Sequence, residues 1–467
     1  MNSKTSDLTN GKPFRLIFRF AVPMLLGLLF QQFYNMVDTI IVGKWLGVQA
    51  LAAVGSVGSI NFMVIGFCIG VCSGFAIPIA QRFGANDHAA LRRFVANSVW
   101  ISAIFAAVMT VIVCVLCRPI LVWMRTPADI IDGAYSYIFV IFLGIPAVFL
   151  YNLLSGILRS LGDSRTPVVF LVLSSLLNIV LDLASIGILH MGVAGPALAT
   201  VISQGVSGIL CLFYMKKHFP ILHLQKEEWR FDKKYIGTLF SMGVPMGLQY
   251  SITAIGSVIL QTSVNMLGSA VVASVTAGSK VNMFFCCPFD ALGGTMATFA
   301  GQNIGAKKPE RILTGARAAI GLGAVYSVAA TLVLCFFGKT VALLFMDAGE
   351  VEILDRVQQL LIANSLFYLP LLVLNVTRFG LQGMGYSSLA VFAGVTEMLA
   401  RIIMGFGLVP VYGYAAVCFS NPLAWVMADC FLLPAFFICI RKKKKAFAGG
   451  ERPKIDGHSE QCAKAIH

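Results

Sequence analysis

Apolar residues along this chain form long unbroken runs, and short polar segments separate them. A helix that crosses a bilayer needs about 20 mostly apolar residues. Twelve segments meet that test, near 15–39, 51–78, 94–117, 130–153, 167–189, 194–215, 235–263, 270–300, 312–337, 352–375, 387–409 and 414–440. The pattern predicts an all-α integral membrane protein with twelve transmembrane helices. The longest hydrophilic stretch between two such runs, Lys216 to Lys234, is too short for a soluble domain. The first run follows a polar start and has no small-residue cleavage site, so it is expected to stay as a membrane helix rather than leave as a signal peptide.

The chain also repeats itself. Phe20-Ala-Val-Pro-Met24 opens the first run of one half, and Met242-Gly-Val-Pro-Met246 opens that of the other. Leu46-Gly47 is echoed by Leu267-Gly268, Ala80–Ala85 by Gly301–Ala306, Gly162 and Ser164 by Gly385 and Ser387, and Gly192 by Gly413. The offset stays at 221 to 223 residues. A fixed offset across a whole half marks a duplication. With six spans each, both halves start on the same side of the membrane, which makes two parallel six-helix repeats around a central cleft. The expected division is an amino-terminal lobe 1–215, a basic linker 216–234 that leaves each lobe free to move, a carboxyl-terminal lobe 235–440 and a basic tail 441–467. Pro23 and Pro245 take matching places in the two lead helices, where proline bends the axis. Gly66, Gly70 and Gly74 form a small-residue ladder suited to close helix packing.

Composition agrees. The chain is 58% hydrophobic and 12% charged, with a mean hydropathy of +0.83, whereas soluble domains are about a quarter charged. The net charge of +14 resembles a nucleic-acid signal until its distribution is read. With the amino terminus in the cytoplasm, 28 of the 35 Lys and Arg fall inside, Arg378 among them in a cytoplasmic loop, and 5 outside, with Lys280 and Arg401 within helices. This asymmetry places both termini of a multi-pass protein in the cytoplasm, and a bacterial inner membrane is the expected location. Under that topology Lys226 lies inside and Ala348 outside. The bilayer is the expected partner and nucleic acid is not; a monomer is expected. Cys114 and Cys117, and the adjacent Cys286 and Cys287, lack the partners of a redox or metal site and are expected to pack as small hydrophobes. The six histidines fall in loops or the tail, so no zinc site or enzymatic metal centre is expected in the bundle.

Polar residues at bilayer depth are costly and mark ion or substrate paths. Gln31, Tyr34, Asn35 and Asp38 share one face of the first helix by their spacing. Asn178 and Asp182 are one turn apart in the fifth, and Thr200, Gln204 and Ser207 form a stripe in the sixth. Two carboxylates with an amide and a hydroxyl are hard oxygen ligands, able to hold Na⁺ or share a proton; a structural hydrogen-bond network would use the same residues. Gln249, Thr253, Ser257, Gln261 and Asn265 step along the seventh helix as a neutral stripe. Lys280 and Asp290 lie in the eighth. Glu397 and Arg401, at i and i+4, are expected to pair.

These residues also carry a resemblance. Pro23, Asn35-Met-Val-Asp38 leading into Val42-Gly43, Leu46-Gly47, Ala50–Gly55, Ala80-Gln-x-x-Gly-Ala85, Leu158–Asp163, Asn178-x-x-Leu-Asp182, Gly192–Thr200 and Gly301–Ala306 follow one another as they do in the MATE (multidrug and toxic compound extrusion) family. The chain resembles that family over nearly its whole length. The resemblance implies a MATE-like fold without enzymatic activity or cofactor. It implies a secondary active antiporter that exports bulky, often cationic drugs or dyes in exchange for Na⁺ or H⁺. It implies a cation-coupling site at Asp38, Asn178, Asp182 and Thr200, with Na⁺ as the one candidate metal. Candidate substrate contacts are Gln31, Tyr34, Asn152, Gln249 and Gln261. The seventh and tenth helices carry Gln249, Gln261, Asn364 and Asn375 where some relatives have coupling acids. A lipid-linked precursor flippase of the same superfamily is the alternative.

Overall fold

The computed structural model describes residues 6–124, 126–343 and 351–448. Lys4, Arg125, Ala348 and the tail beyond 448, including His458 and His467, lie outside the described residues. Every regular element among the described residues is a helix. In chain order they are α1 (Pro13–Ser56), α2 (Gly58–Gly84), α3 (His88–Trp123), α4 (Ile131–Leu143), α5 (Ile145–Ser160), α6 (Arg165–Gly187), α7 (Ala194–His218), α8 (Lys233–Asn265), α9 (Ser269–Gly305), α10 (Glu310–Ala342), α11 (Val351–Leu366), α12 (Tyr368–Gly383), α13 (Ser387–Ile402), α14 (Val409–Tyr412) and α15 (Tyr414–Ala448). A six-residue π-helical stretch, Ile403–Leu408, joins α13 to α14.

Among the described residues ten helices are long and apolar enough to span a bilayer, and two bent pairs bring the total to as many as twelve. The pairs are α4 with α5, bent 45°, and α11 with α12, bent 51°. They fall on the fourth and tenth predicted spans. Each break is followed by a proline in the first turn of the next helix, Pro146 or Pro370. There proline loses no hydrogen bond that the helix would otherwise make. Gly144 and Phe367, at the two breaks, are related by the repeat offset.

The backbone repeats as the sequence does. Gly47 and Gly268 have φ of 84° and 94°, Gly162 and Gly385 87° and 95°, Gly192 and Gly413 60° and 56°, and Asn86 and Lys307 55° and 56°. Glycine enters this left-handed region without steric cost. At Gly47 it breaks α1 into two helical segments.

The chain divides into two compact units, and each lead helix changes unit partway along. Unit 1 is the described part of Met1–Asp7 with Leu26–Gly247; unit 2 is Leu8–Leu25 with the described part of Leu248–His467. The boundaries fall two residues beyond Pro23 and Pro245.

Within unit 1, a core that includes Val71, Phe75, Phe149, Ile157 and Leu158 joins α2, α3, α4, α5 and α7. The glycine ladder acts here: a Cβ on Gly70 would stand 2.6 Å from the Met246 carbonyl oxygen, and one on Gly74 2.5 Å from the Gly243 Cα. Backbone thus packs directly on backbone. The linker is fastened on its unit 1 side. Arg92 Nε donates to Glu228 Oε1 at 2.7 Å, Trp100 Nε1 to the Trp229 carbonyl at 3.0 Å, and the Asp232 N–H to Asn97 Oδ1 at 3.0 Å, so α3 holds it. Burial pushes the Glu228 carboxyl up, but the Gln225 N–H and the Arg92 guanidinium outweigh it and hold the group below its ordinary value. Within unit 2, a core that includes Phe289, Phe299, Tyr368, Leu372 and Phe436 joins α9, α10, α11, α12 and α15.

Candidate ion and substrate site

Three helices of unit 1 bring the predicted cation residues together. On α1, Tyr34 and Asp38 are one turn apart, and the Tyr34 and Thr200 hydroxyls stand 3.2 Å apart. The Asn178 amide, turned so that both ends have partners, donates from Nδ2 to Asp182 Oδ2 at 3.1 Å and accepts from the Thr200 N–H at 3.1 Å. The Asp38 and Asp182 carboxyls lie near enough to act on each other electrostatically. Asp182 and Asn178 are fully buried, and Asp38 is half-buried. One oxygen of each acid, Oδ1, is buried without a hydrogen-bond partner among the described residues.

The chemistry follows from that geometry. Two ionised carboxylates about 4 Å apart repel by on the order of 4 kcal/mol at an effective dielectric of 20. A proton or a small cation between them removes that cost. Two carboxylates, an amide and a hydroxyl are oxygen donors of the type hard cations use, so the residues fit Na⁺ as well as H⁺. No group of three or more His, Cys, Asp or Glu able to hold a metal exists among the described residues. Tyr137 of α4 joins the electrostatic neighbourhood of Tyr34, Asp38 and Asp182. It was not visible in the sequence, because a single tyrosine inside the apolar run of α4 has no polar neighbour at helical spacing.

A cavity adjoins this cluster and shares Tyr34, Asn178 and Thr200 with it. Its cavity volume is about 60 Å³, and it opens to a wider mouth. Gln31, Asn152, Gln204 and Ser207 line it with Tyr151, Ile65, Ile69 and Val148, and no charged side chain among the described residues does. The structure therefore places Gln31, Tyr34 and Asn152 in one cavity. Gln249 and Gln261 belong to unit 2. Gln249 is buried and accepts from Gln382 Nε2 at 2.7 Å, while Gln261 is exposed and donates to Asn265 at 2.9 Å.

Two readings of unit 2 are corrected. Arg378, counted with the cytoplasmic loops, lies on α12 with its side chain 13% exposed. Glu397 pairs with this Arg378 at 3.1 Å, not with Arg401, which donates to the Thr253 carbonyl at 3.3 Å. The helical spacing placed Arg401 within reach, but a guanidinium from α12 offered the better geometry. Lys280 is exposed, and Asp290 takes its hydrogen bond from Asn375 at 3.3 Å.

A duplicated bundle of apolar helices with polar groups gathered around a buried acid pair and an uncharged cavity defines an integral membrane transporter. Comparison with known proteins gives the family. The MatE family model matches twice, at residues 23–184 and 245–406. The chain is 31% identical to the probable multidrug resistance protein YoeA of Bacillus subtilis (strain 168), over 71% of this chain and 73% of that one. It is 23% identical to the probable multidrug resistance protein NorM of Thermotoga maritima, over 94% and 95%. Its fold matches that of a multidrug resistance MATE family transporter of the MOP superfamily, solved in an outward-facing conformation, with a TM-score of 0.88, 23% identity and coverage of 95% and 99%. The chain belongs to the MATE family: it is a multi-pass membrane efflux transporter, not an enzyme.

Proposed function

We propose that this protein exports bulky, often cationic organic compounds across the inner membrane in exchange for Na⁺ or H⁺. The observation that carries the reading is the facing pair Asp38 and Asp182, tied by Asn178 and Thr200 to an uncharged cavity. The multidrug-resistance names of its relatives support the substrate class; they do not favour the flippase alternative. A cation or proton on the acid pair lets α1 and α6 approach. Its loss restores repulsion and favours a different arrangement. An ion shifts such an equilibrium only by its differential affinity for the two states, and a titratable pair supplies that difference. Pro23 and Pro245, each two residues from a unit boundary, offer the points where a lead helix bends. In the cavity, Tyr34, Gln31 and Asn152 present a polar edge beside apolar walls, which suits dissimilar ligands. Both termini face the cytoplasm in this reading, with lobes 1–215 and 235–440.

Dye efflux from inverted vesicles tests the reading, first under a pure Na⁺ gradient and then under a pure pH gradient. One of the two should drive efflux of several unrelated cationic dyes. Efflux under neither, with rescue of a cell-envelope precursor defect, would favour the flippase.

A further inference from the structure

Unit 2 buries a second set of charges. Arg378 of α12 donates from Nη1 to Glu397 of α13 and from Nη2 to Asn375 Oδ1 at 2.7 Å. Asn375 in turn holds Asp290 of α9, which keeps an exposed face. Asp429 of α15 completes the set. It is 8% exposed, its Oδ1 has no hydrogen-bond partner, and it makes no ion pair among the described residues. The Nε of Arg378 is likewise buried without a partner. Arg378 and Asp429 thus each keep one buried, unused hydrogen-bonding atom, on two helices that pack against each other.

An unpaired carboxylate in such a place is strongly disfavoured, and a bound proton removes the charge. A metal ion fits poorly, because the guanidiniums of Arg378 and Arg401 already occupy the cluster, whereas a proton needs only one oxygen lone pair. The charged groups that face Asp429 are Arg378 from α12 and Glu397 from α13, with Arg401 beside both of these. On α10 and α11, Lys339 pairs with Asp355, Arg356 with Glu352, and Arg311 donates to Asn303, while Glu310 and Arg317 lie in the first turns of α10. Pro422 and Pro434 flank Asp429 within α15 and leave gaps in its backbone ladder on both sides.

We propose that Asp429 is a proton-binding site in unit 2, and that its proton decides which acid Arg378 holds. With the proton bound, Arg378 stays on Glu397, as in this structure. When the proton leaves, the guanidinium moves toward Asp429 and shifts α12, α13 and α15 against one another. The proposal goes beyond the efflux reading, which rests on unit 1, and stands or falls without it.

Trp425 lies one turn before Asp429 and is 6% exposed, so it can report the change. The full chain in lipid nanodiscs, with Trp45, Trp100, Trp123 and Trp229 replaced by Phe, should show a one-proton transition in Trp425 emission with pH. Asp429→Asn should abolish it. Glu397→Gln should move the midpoint to lower pH by roughly one unit or more, because the freed Arg378 then stays with the ionised Asp429. Where Asp429→Asn fails to fold, Glu397→Gln decides alone. No transition in the parent, an unchanged midpoint in Glu397→Gln, or loss of the transition in Asp38→Asn with survival in Asp429→Asn would overturn the proposal.

Discussion

Adding one methyl group at Gly74 tests whether the α2–α8 crossing is as close as the structure shows. An alanine Cβ there would meet the Gly243 Cα at 2.5 Å, the Met242 carbonyl oxygen at 2.6 Å and the Gly243 nitrogen at 2.8 Å. Ordinary contact begins near 3.4 Å, so the helices must part by close to an ångström. All three neighbours are backbone atoms, and no side chain can turn aside. Overpacking of this kind costs about 1–3 kcal/mol. Gly70→Ala meets Met246 and Gly247 in the same way. One displacement relieves both sites, so the double variant should lose less than the sum of the singles. Gly58 is the control, since a Cβ there meets nothing within 4 Å. Thermal unfolding of the purified variants in nanodiscs provides the assay. A Gly74→Ala protein that melts with the parent and with Gly58→Ala would refute the close crossing.

Two further predictions concern the linker and the topology. The Glu228–Arg92 fastening is fully present at neutral pH and, because the folded carboxyl titrates below its ordinary value, is lost only as the pH falls through that depressed value. Glu228→Gln should loosen the linker already at neutral pH, with tryptic cleavage after Lys226 about fivefold faster for about 1 kcal/mol of fastening; equal rates would refute it. Cysteines at His190 and Lys226 should be labelled from opposite faces of the membrane, and labelling of both from outside would contradict cytoplasmic termini.

The spans were legible because burial in lipid imposes a length and a composition on each helix. All twelve predicted segments coincide with a long helix or a bent pair. The bends themselves were not, since Gly144-Ile-Pro146 and Phe367-Tyr-Leu-Pro370 sit inside runs that stay apolar throughout. The residues of the acid pair were legible through their helical spacing and their rarity at bilayer depth. Tertiary choices were not. Arg378 lies near the polar end of its helix and looked like a loop charge; only the packing of α12 on α13 shows that it takes Glu397 from Arg401. Asp429 was passed over because α15 offers it no charged neighbour at helical spacing.

The central claim is that Asp38 and Asp182 couple ion movement to export. Asp182→Asn keeps the shape of the side chain and removes the charge that a proton or Na⁺ neutralises. In proteoliposomes, the variant should insert and melt close to the parent and still bind a fluorescent substrate. It should lose gradient-driven efflux by an order of magnitude or more, since a charge no longer changes between the two states. Full gradient-driven efflux by a well-folded Asp182→Asn protein, with Asp38→Asn behaving alike, would contradict the account.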